Sequence, residues 1–590
     1  MSDQQTPSPS QPKEDAFHGM GASKGIAIAP AYIFVNKEIE NSTGKLEPGK
    51  AEQEIERFLC ALQRSEKELE KIEQVTTQKL GQVYSDLFHA QIMLLHDQVL
   101  TNSITSRIRD EMKPAQLVID EEFDNYLQHF NNSSEVLFQE RAQDLVDIKN
   151  RIIRNLYNKK LQSKVPEGMI IVSKSLSPAD IILLSRNKVK GFVTETGGKT
   201  SHVSLICKSL NIPIIVGLSN FTQKISMGAP LVINGSDGTA IAYPSEETVR
   251  KYLNVIAEES KIEAEACKLA SAPAVTKCGI RLHFYSNIDV KEEIPSIHTA
   301  GAEGVGLFRS ENLFIDSTKP PKESEQTDYY RDMAEALNPE PLVIRLFDIG
   351  GDKLIYSPIS EPNPNLGWRG IRILIDVPEI LDSQLRAILK ANSSENIQIL
   401  LPMISSLDEI MAIRDALEKH VTALEKSGIS INKPELGAMI EIPAAVEIID
   451  EITKAVDFIS IGTNDLTQYT LAVDRNNEIV QDLFDKFHPA IVRQIHRIIS
   501  TACSNNCRVA LCGDMGSDPL ALPFLVGCGL KEFSVVSADI PRLKSLARYF
   551  TVDETRELVK DCLGLPTASK IKAELTKFLT DHDAPDFYPS

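Results

Sequence analysis

One histidine in the chain lies in a run of residues that could bind and accept a phosphoryl group. His202 ends the run Thr196-Gly197-Gly198-Lys199-Thr200-Ser201-His202, which lies between a strand-like stretch and a helix-like stretch. Adjacent glycines let the backbone turn sharply and approach a ligand, and the free N–H groups of a helix N-terminus favour an oxyanion. A neutral imidazole can act as a nucleophile near pH 7. His202 is therefore a candidate phosphoryl acceptor, with a satisfied polar residue beside an ordinary turn as the alternative.

Two acidic residues in the C-terminal half follow neighbouring apolar runs that are typical of strands. Glu441 comes directly after one run, 436–440, and Asp465 shortly after the next, 458–461. If these strands are neighbours in a parallel barrel, both carboxylates lie at the same end. Mg²⁺ prefers oxygen ligands and is commonly held by one or two carboxylates together with phosphate oxygens of a substrate. Glu441 and Asp465 are therefore the predicted magnesium ligands.

Four arginines lie at or after the ends of predicted strands in the same half of the chain. They are Arg309, Arg345, Arg369 and Arg475. A guanidinium is a planar fork that matches phosphate and carboxylate oxygens. One such arginine alone is more typical of a surface ion pair, but four of them beside two acids favour a site for an anionic substrate. A local basic cluster is required for such a substrate, because the formal net charge of the chain is -19.

Cys512 ends another predicted strand, beside Gly513. An isolated cysteine at such a place is more often a buried hydrophobic residue. Opposite arginines and a bound magnesium ion, it is a candidate proton donor to an enolate or carbanion. A substrate with phosphate and carboxylate groups that faces a thiol acid describes phosphoenolpyruvate, whose enolpyruvate product must take up a proton at C3. His202 would then accept the phosphoryl group.

The composition is that of an ordinary multidomain globular protein. The chain has 590 residues, of which 42% are hydrophobic and 25% charged, and this length predicts about three to five domains. The acidic balance argues against nucleic acid and anionic membranes as partners.

Several features of the sequence bear on where the protein works. Nine cysteines are scattered along the chain without a CxxC pair, which is typical of a reducing compartment. No run of about 18 apolar residues occurs, so we expect no membrane insertion. Residues 1–17 are rich in Ser, Pro and Gln and lack the apolar core of a signal peptide, so they are predicted to be a disordered tail. We therefore expect a cytoplasmic protein.

The spacing of apolar residues divides the rest of the chain into domains. Strand-like runs in 18–48 and 161–244 predict a compact α/β domain that carries His202. Between them, 49–160 has apolar residues at threes, fours and sevens among Glu and Lys, which predicts an inserted helical bundle. Segment 245–274 predicts a charged linker helix capped by Ser245. Because His202 lies on a domain separate from the substrate site, this helix would act as a swivel.

Segment 275–590 alternates short apolar runs with helical patterns. The apolar runs are 281–285, 304–308, 342–347, 397–401, 436–440, 458–461, 508–511 and 532–535. Eight βα units in about 300 residues predict a TIM barrel, whose active site lies at the C-terminal ends of the strands. The predicted fold class is thus a multidomain α/β protein with a phosphohistidine domain, an inserted helical bundle, a linker helix and a C-terminal (β/α)8 barrel.

From about Gly19 to the C-terminus, the chain resembles Enzyme I of the bacterial phosphotransferase system, the phosphoenolpyruvate-protein phosphotransferase family. The stretches that carry the resemblance are 197–202, 301–309, 348–353 and 461–469. By this resemblance, His202 is phosphorylated at Nε2, Glu441 and Asp465 hold Mg²⁺, and Cys512 donates the proton. The residues that bind phosphoenolpyruvate are then Arg309, Arg345, Asn464 and Arg475, and Arg369 would complete the clamp.

The resemblance also implies partners. The phosphoryl group would pass from His202 to a histidine of the small carrier protein HPr, which would dock on the helical insertion 49–160, and the chain would form a homodimer through its barrel. Two departures from the family pattern stand out. Segment 91–100 usually carries several acids in the family but has only Asp97 here, so we expect the carrier surface to differ, and Asp514 stands where the family usually has Glu.

Two alternatives stay open at this point. Pyruvate phosphate dikinase and phosphoenolpyruvate synthase have a similar histidine domain and barrel, but they need an ATP-binding domain, and only the tail and the helical insertion precede the histidine here. A regulatory homologue with reduced catalysis is the second alternative.

Overall fold

The computed structural model describes residues 14–34, 44–80, 82–131, 136–157, 165–198, 201–315, 320–350, 363–475, 477 and 480–585. The chain folds into two compact units, Met1–Ile256 and Ala257–Ser590. Each unit has its own sheet and its own hydrophobic core.

The first unit contains a mixed sheet. Its strands within the described residues are β1 (Asp15–His18), β2 (Met20–Ser23), β3 (Ile26–Ile33), β4 (Ile170–Ser173), β5 (Gly191–Thr194), β6 (Ile214–Val216), β7 (Pro230–Asn234) and β8 (Thr239–Ala242). They are ordered β1-β8-β7-β3-β4-β5-β6-β2. Strands β3 to β6 run parallel, and every residue of β4, β5 and β6 is buried, as is typical of parallel strands covered by helices.

Among the described residues between β3 and β4, the chain forms five helices. They are α1 (Ala51–Leu80), α2 (Gln82–Leu95), α3 (Gln98–Glu111), α4 (Ala115–Asn131) and α5 (Val136–Leu156). Helix α1 buries Ile55, Phe58, Leu69 and Ile72, and this helical spacing is the amphipathic pattern by which the sequence predicts the bundle. These helices agree with the inserted helical bundle of the predicted fold class, whose bounds at 49 and 160 stay a prediction.

The remaining helices of the first unit are short, apart from the last one. They are α6 (Pro178–Ser185), α7 (His202–Ser209), α8 (Phe221–Lys224) and α9 (Glu246–Lys268). Helix α9 is the predicted charged helix, and the hydroxyl of Ser245 accepts a hydrogen bond from Thr248 N at 3.2 Å, as expected for its cap. The division between the two units falls within this helix.

The prediction that residues 1–17 are a disordered tail is wrong for residues 14–17. Strand β1 pairs with β8 through Asp15 to His18, and the ring of Phe17 lies 5.0 Å from that of Phe221, edge to face. The carboxylate of Glu14 accepts hydrogen bonds from Ser245 N and Thr248 Oγ1. One edge-to-face aromatic contact and a neighbouring strand order this short polar segment. Residues 1–13 lie outside the described residues.

The second unit contains a closed parallel barrel. Its strands within the described residues are β9 (Ala274–Val275), β10 (Arg281–Ile288), β11 (Val305–Arg309), β12 (Leu342–Arg345), β13 (Ile397–Leu401), β14 (Glu435–Ile440), β15 (Phe458–Ile461), β16 (Arg508–Leu511) and β17 (Glu532–Val535). Strands β10 to β17 pair in chain order, and β10 pairs with both β11 and β17. This closure is that of a TIM barrel, and the predicted fold class is confirmed.

Helices surround the barrel. They are α10 (Ile294–Ala300), α11 (Asn312–Ile315), α12 (Glu323–Leu337), α13 (Ile371–Asp376), α14 (Pro378–Ala391), α15 (Leu407–Lys426), α16 (Pro443–Glu447), α17 (Ile449–Ala455), α18 (Thr463–Leu471), α19 (Pro489–Ser504), α20 (Leu522–Gly527), α21 (Ile540–Leu546), α22 (Val552–Gly564) and α23 (Ala568–Asp581). Alternate strand residues form two cores: a large cluster beneath the helices and a small interior cluster that contains Met439, Phe458 and Cys512. In the described part of the chain, no helix combines the length and apolarity needed to cross a membrane.

Candidate active site

His202 is the first residue of α7, directly after the N-cap Ser201. The hydroxyl of Ser201 accepts a hydrogen bond from Ser204 N at 3.3 Å, and the hydroxyl of Ser204 donates to Gly198 O at 2.7 Å. These two bonds fix the turn against the helix and hold the half-buried imidazole at its positive end. The sequence prediction of a turn and a helix start at this point is therefore confirmed.

The glycine turn before His202 is held from the strand side as well. Gly197 has a φ of +114°, which favours glycine strongly. The hydroxyl of Thr194 donates to Thr196 O at 2.8 Å, and Thr196 N donates to Lys174 O at 3.1 Å. Lys199 and Thr200 of the motif lie outside the described residues. A tight backbone turn therefore follows β5, and His202 lies after it at the start of α7.

The two predicted magnesium ligands lie at the ends of neighbouring strands of the barrel. Glu441 directly follows β14, and Asp465 lies in the first turn of α18 after β15. Both carboxylates are buried, with residue exposures of 2% and 6%. Burial, reinforced by the Asp465 and Asp348 carboxylates, raises the pKa of Glu441 well above its usual range, so the two acids are close enough to repel each other.

Glycine at position 462 makes room for this pair. A Cβ at Gly462 would lie 2.8 Å from Oε2 of Glu441, which is closer than such contacts permit. Oε1 of Glu441 accepts a hydrogen bond from Met403 N at 2.7 Å. The carboxylate of Glu441 is therefore fixed through one oxygen while the other points toward a space that a side chain would fill.

Arg345 is buried between two acids at the end of β12. It pairs with Glu311, and its Nη1 lies 3.2 Å from Oδ2 of Asp348. Burial alone would lower the pKa of Arg345, but the Glu311 and Asp348 carboxylates outweigh that effect and raise it. The guanidinium therefore stays charged inside the barrel mouth.

Arg369 joins two of the acids in the same site. Its Nε and Nη2 donate to the two oxygens of Asp348 at 2.9 and 2.8 Å, and Nη2 also donates to Oδ2 of Asp465 at 3.0 Å. Nη1 donates to the hydroxyl of Tyr469 at 3.1 Å. A bidentate pair of this kind fixes the plane of the guanidinium, so Arg369 sets the orientation of Asp465.

The other two arginines are more exposed. Nη1 of Arg309, at the end of β11, lies 3.2 Å from Oδ1 of Asp289, and the Arg309 side chain is 39% exposed. Nη1 of Arg475 lies 3.9 Å from Oδ1 of Asp465, and the Arg475 side chain is 40% exposed. Both cations thus stand at the solvent side of the buried network and are accessible to an anion.

Cys512 directly follows β16 and points into the barrel interior beside Met439 and Phe458. Its Sγ donates to Ile461 O at 3.6 Å. Burial raises the pKa of the thiol to about 11, although the Ser460 hydroxyl opposes this. The Glu441 carboxylate also raises the pKa of this thiol, whereas the Arg345 and Arg309 guanidinium groups lower it. Near neutral pH, Cys512 is therefore a protonated group within the electrostatic reach of the arginines and acids.

Asn464 faces the turn that follows Cys512. Its Oδ1 accepts a hydrogen bond from Asp514 N at 3.0 Å, and Thr463 Oγ1 accepts one from Met515 N at 3.4 Å. This contact uses the backbone N of Asp514 and not its carboxylate. The residues predicted at the strand ends are therefore brought together in the second unit, while His202 belongs to the first.

Comparison with known proteins agrees with this arrangement. Residues 18–141, 165–238 and 263–552 match families described as the N-terminal, mobile and PEP-binding domains of PEP-utilising enzymes, where PEP is phosphoenolpyruvate. Phosphoenolpyruvate-protein phosphotransferases of Bacillus sp. (strain S) and Bacillus subtilis (strain 168) are each 36% identical to the chain, over 95% and 94% of it and 97% and 98% of their own lengths. That of Listeria monocytogenes is 34% identical over 95% of the chain and 99% of its own length. The chain belongs to the phosphoenolpyruvate-protein phosphotransferase family.

For a phosphoenolpyruvate-protein phosphotransferase, the fit of the site to a metal ion can be judged from its oxygen atoms. Oδ1 of Asp465 is buried and accepts no hydrogen bond from any described residue, and Oε2 of Glu441 borders the space above Gly462. Within the described residues, no group of three or more His, Cys, Asp or Glu could hold a metal by itself. Two carboxylates that need further oxygen ligands from a substrate fit Mg²⁺.

Three residues of this phosphotransferase site form ion pairs or hydrogen bonds that the sequence does not predict. Glu311 and Asp348 hold Arg345, and Tyr469 accepts a hydrogen bond from Arg369. Asp348 is visible in the sequence as a strand-end residue. Glu311 gives a weaker signal, an acid two residues after Arg309, and its pairing with Arg345 on the next strand depends on the path of the intervening loop.

Proposed function

We propose that this enzyme transfers the phosphoryl group of phosphoenolpyruvate to His202, releases pyruvate, and then passes the phosphoryl group to a histidine of a small HPr-like carrier protein. The observation that carries this proposal is the buried network in which Arg345 and Arg369 are each held by two carboxylates, with Cys512 beside it. Charged groups already fixed in place stabilise developing charge without reorganisation.

We assign the magnesium ion to Glu441 and Asp465. The cation would balance an excess of buried acids, since Glu311, Asp348, Glu441 and Asp465 outnumber the buried cations Arg345 and Arg369. When bound, it supplies positive charge to the phosphate and enolate oxygens of the substrate. The ligand roles of both residues are tested by substitution, as described in the Discussion.

The protein groups can be assigned steps in which atoms and electrons balance. The bridging O–P bond of phosphoenolpyruvate breaks with its electrons left on oxygen, and phosphorus bonds to Nε2 of the neutral His202 imidazole. Arg309, Arg345, Arg369, Asn464 and Arg475 would bind the phosphate and carboxylate groups during this step. The enolate then forms a carbonyl at C2, and C3 takes the proton of the Cys512 thiol, which is left as a thiolate and regains a proton from solvent.

The helical insertion supports a carrier surface that is more apolar than acidic. Asp97, the lone acid of segment 91–100, accepts a hydrogen bond from Val99 N at 2.7 Å and caps α3. Met93 and Val99 beside it are 65% and 70% exposed. His89 and His96 are exposed and pair with Glu73 and Glu66 at 3.0 and 2.9 Å. Docking of the carrier on this insertion, a homodimer through the barrel and a cytoplasmic location all stay predictions.

The test is to incubate the purified enzyme with Mg²⁺ and phosphoenolpyruvate labelled at phosphorus, and then to map the acid-labile label. We expect label on His202 in the wild type and in the matched variant His18→Ala, which changes an exposed histidine of the same unit. His202→Ala should take up none, and excess pyruvate should remove the label. If folded wild-type enzyme binds phosphoenolpyruvate but takes up no label, the regulatory alternative replaces this proposal.

A further inference from the structure

We propose that Asn287 and Ser534 are positioning residues for Cys512, and that they make protonation of the enolate at C3 stereospecific. This inference rests on the proposed function, in which the Cys512 thiol is the proton donor. Asn287 and Ser534 take no part in the contacts described above for the predicted metal ligands and the arginines.

The side chain of Asn287 connects β10 to the end of β16 across the intervening strand. Its Nδ2 donates to the backbone carbonyl of Cys512 at 3.1 Å, and its Oδ1 accepts a hydrogen bond from Ser534 Oγ at 2.6 Å. Ser534 lies on β17, between these two strands, and is fully buried. Both ends of the Asn287 amide are therefore fixed, so the amide holds the peptide plane of Cys512.

The barrel makes room for this arrangement at a specific position. A Cβ at Gly306 on β11 would lie 2.4 Å from Ser534 Oγ and 2.7 Å from its Cβ. Glycine at 306 therefore allows Ser534 to point inward toward Asn287. A buried hydroxyl lowers stability unless it is paired, and here the Ser534 hydroxyl is paired with the half-buried Asn287 amide, which in turn donates to Cys512 O.

The opposite side of Cys512 is held as well. Cys512 N and Sγ both donate to Ile461 O, at 3.1 and 3.6 Å. A Cβ at Gly513 would lie 1.9 Å from Thr463 Oγ1, so the chain after Cys512 packs directly on the start of α18. With Asn287 on its carbonyl and Ile461 on its amide, Cys512 has little freedom to rotate, and the Cα–Cβ bond that carries the thiol has a fixed direction.

A fixed thiol direction matters because an enolate has two faces at C3. A donor held over one face delivers its proton to that face alone, whereas enolpyruvate that leaves the site is protonated by water on either face. A displacement of about 1 Å in a reacting group can lower a rate by about 100-fold. The amide of Asn287 acts on the direction of the donor and touches neither the phosphoryl group nor its acceptor.

The experiment uses phosphoenolpyruvate with tritium at one defined C3 position, converted to pyruvate in D2O with Mg²⁺ by a stoichiometric amount of the full-length enzyme, so that each His202 accepts one phosphoryl group. The methyl group of the pyruvate then carries H, D and T, and its configuration reports the face of protonation. Acid-labile labelling of His202 is measured in parallel. We expect one configuration from the wild type, a racemic methyl group from Cys512→Ala, and a largely racemic one from Asn287→Ala that still labels His202.

Two further variants separate positioning from general damage to the fold. Ser534→Ala frees the Asn287 amide and should lower stereospecificity less than Asn287→Ala does. Asn396→Ala removes another side-chain amide that holds backbone carbonyls, since it donates to Ala334 O and Glu340 O at 2.9 and 2.8 Å before β13, and this variant should stay stereospecific. If Asn287→Ala is inactive, the configuration of the pyruvate that Ser534→Ala forms tests the inference instead.

The outcomes distinguish the two proposals. A stereospecific Cys512→Ala enzyme would show that the thiol is not the donor and would overturn the inference with it. A racemic Cys512→Ala enzyme alongside fully stereospecific Asn287→Ala and Ser534→Ala enzymes would overturn the inference alone.

Discussion

Nη2 of Arg369 lies 3.0 Å from Oδ2 of Asp465, whereas Oδ1 of the same carboxylate is buried without a hydrogen-bond partner among the described residues. One oxygen of Asp465 is thus used to fix its orientation, while the other accepts no hydrogen bond and has Nη1 of Arg475 3.9 Å away, outside hydrogen-bond distance. A buried carboxylate oxygen without a partner lowers stability, so this arrangement favours a bound cation. Arg369 in turn is held by both oxygens of Asp348, which places the Asp465 carboxylate through a chain of two ion pairs.

Substitution of Asp465 tests this assignment. Asp465→Asn keeps the shape of the side chain but removes the charge, and we expect the Mg²⁺ concentration for half-maximal labelling of His202 to rise by at least about tenfold. The matched control is Asp457→Asn at the other end of β15, where Asp457 accepts a hydrogen bond from Leu436 N at 2.8 Å. An unchanged Mg²⁺ requirement in Asp465→Asn would rule out its role as a ligand.

Arg345 offers a test of guanidinium geometry as distinct from charge. Arg345→Lys keeps one positive charge between Glu311 and Asp348, but an ammonium cannot bind two groups with a planar fork. We expect the KM for phosphoenolpyruvate to rise by about tenfold or more, which corresponds to about 1.4 kcal/mol of binding free energy. The KM is measured by steady-state kinetics on this variant and on the control Arg372→Lys. Arg372 is a nearby arginine that donates to backbone carbonyls. Equal KM values for the two variants would contradict the prediction.

Much of the barrel follows from the sequence because buried parallel strands are short apolar runs with polar ends. The predicted runs 397–401, 458–461, 508–511 and 532–535 coincide with β13, β15, β16 and β17. Strand β12 is shorter than predicted, since it ends at Arg345, and 346–347 leave the strand. The residues at strand ends could be predicted for the same reason, because a barrel gathers those ends at one mouth.

The ion pairs within the mouth could not be predicted in this way. Arg369 reaches Asp348, Asp465 and Tyr469 from a loop, at sequence separations of 21, 96 and 100 residues, and no periodicity encodes the path of that loop. The strand β1 was missed for a related reason. Asp15–His18 has one large apolar residue, Phe17, and becomes a strand because β8 and Phe221 are beside it.

Gly513 should be essential for steric reasons alone. A methyl group there would lie 1.9 Å from Thr463 Oγ1 and 2.5 Å from Thr463 N, and because one of these atoms is backbone, no side-chain rotation relieves the clash. We expect Gly513→Ala to displace Cys512 and lower the rate of pyruvate formation by about 100-fold. The control is Gly564→Ala, where a Cβ meets nothing within 4 Å. Pyruvate formation and thermal unfolding of both variants are the measurements, and a fully active Gly513→Ala enzyme would refute the steric argument.

The reactivity of two cysteines with iodoacetamide should differ in a way that follows from their surroundings. Burial raises the pKa of Cys512 to about 11, so its thiolate fraction is small at pH 8 and rises about tenfold per pH unit up to that pKa. A hydrogen bond from Thr276 lowers the pKa of the exposed Cys278. Mass spectrometry should therefore find Cys278 modified first at pH 8 and Cys512 modified measurably only as the pH rises above 9. Rapid modification of Cys512 at pH 7 would show that its thiol is not held in the protonated form that a proton donor requires.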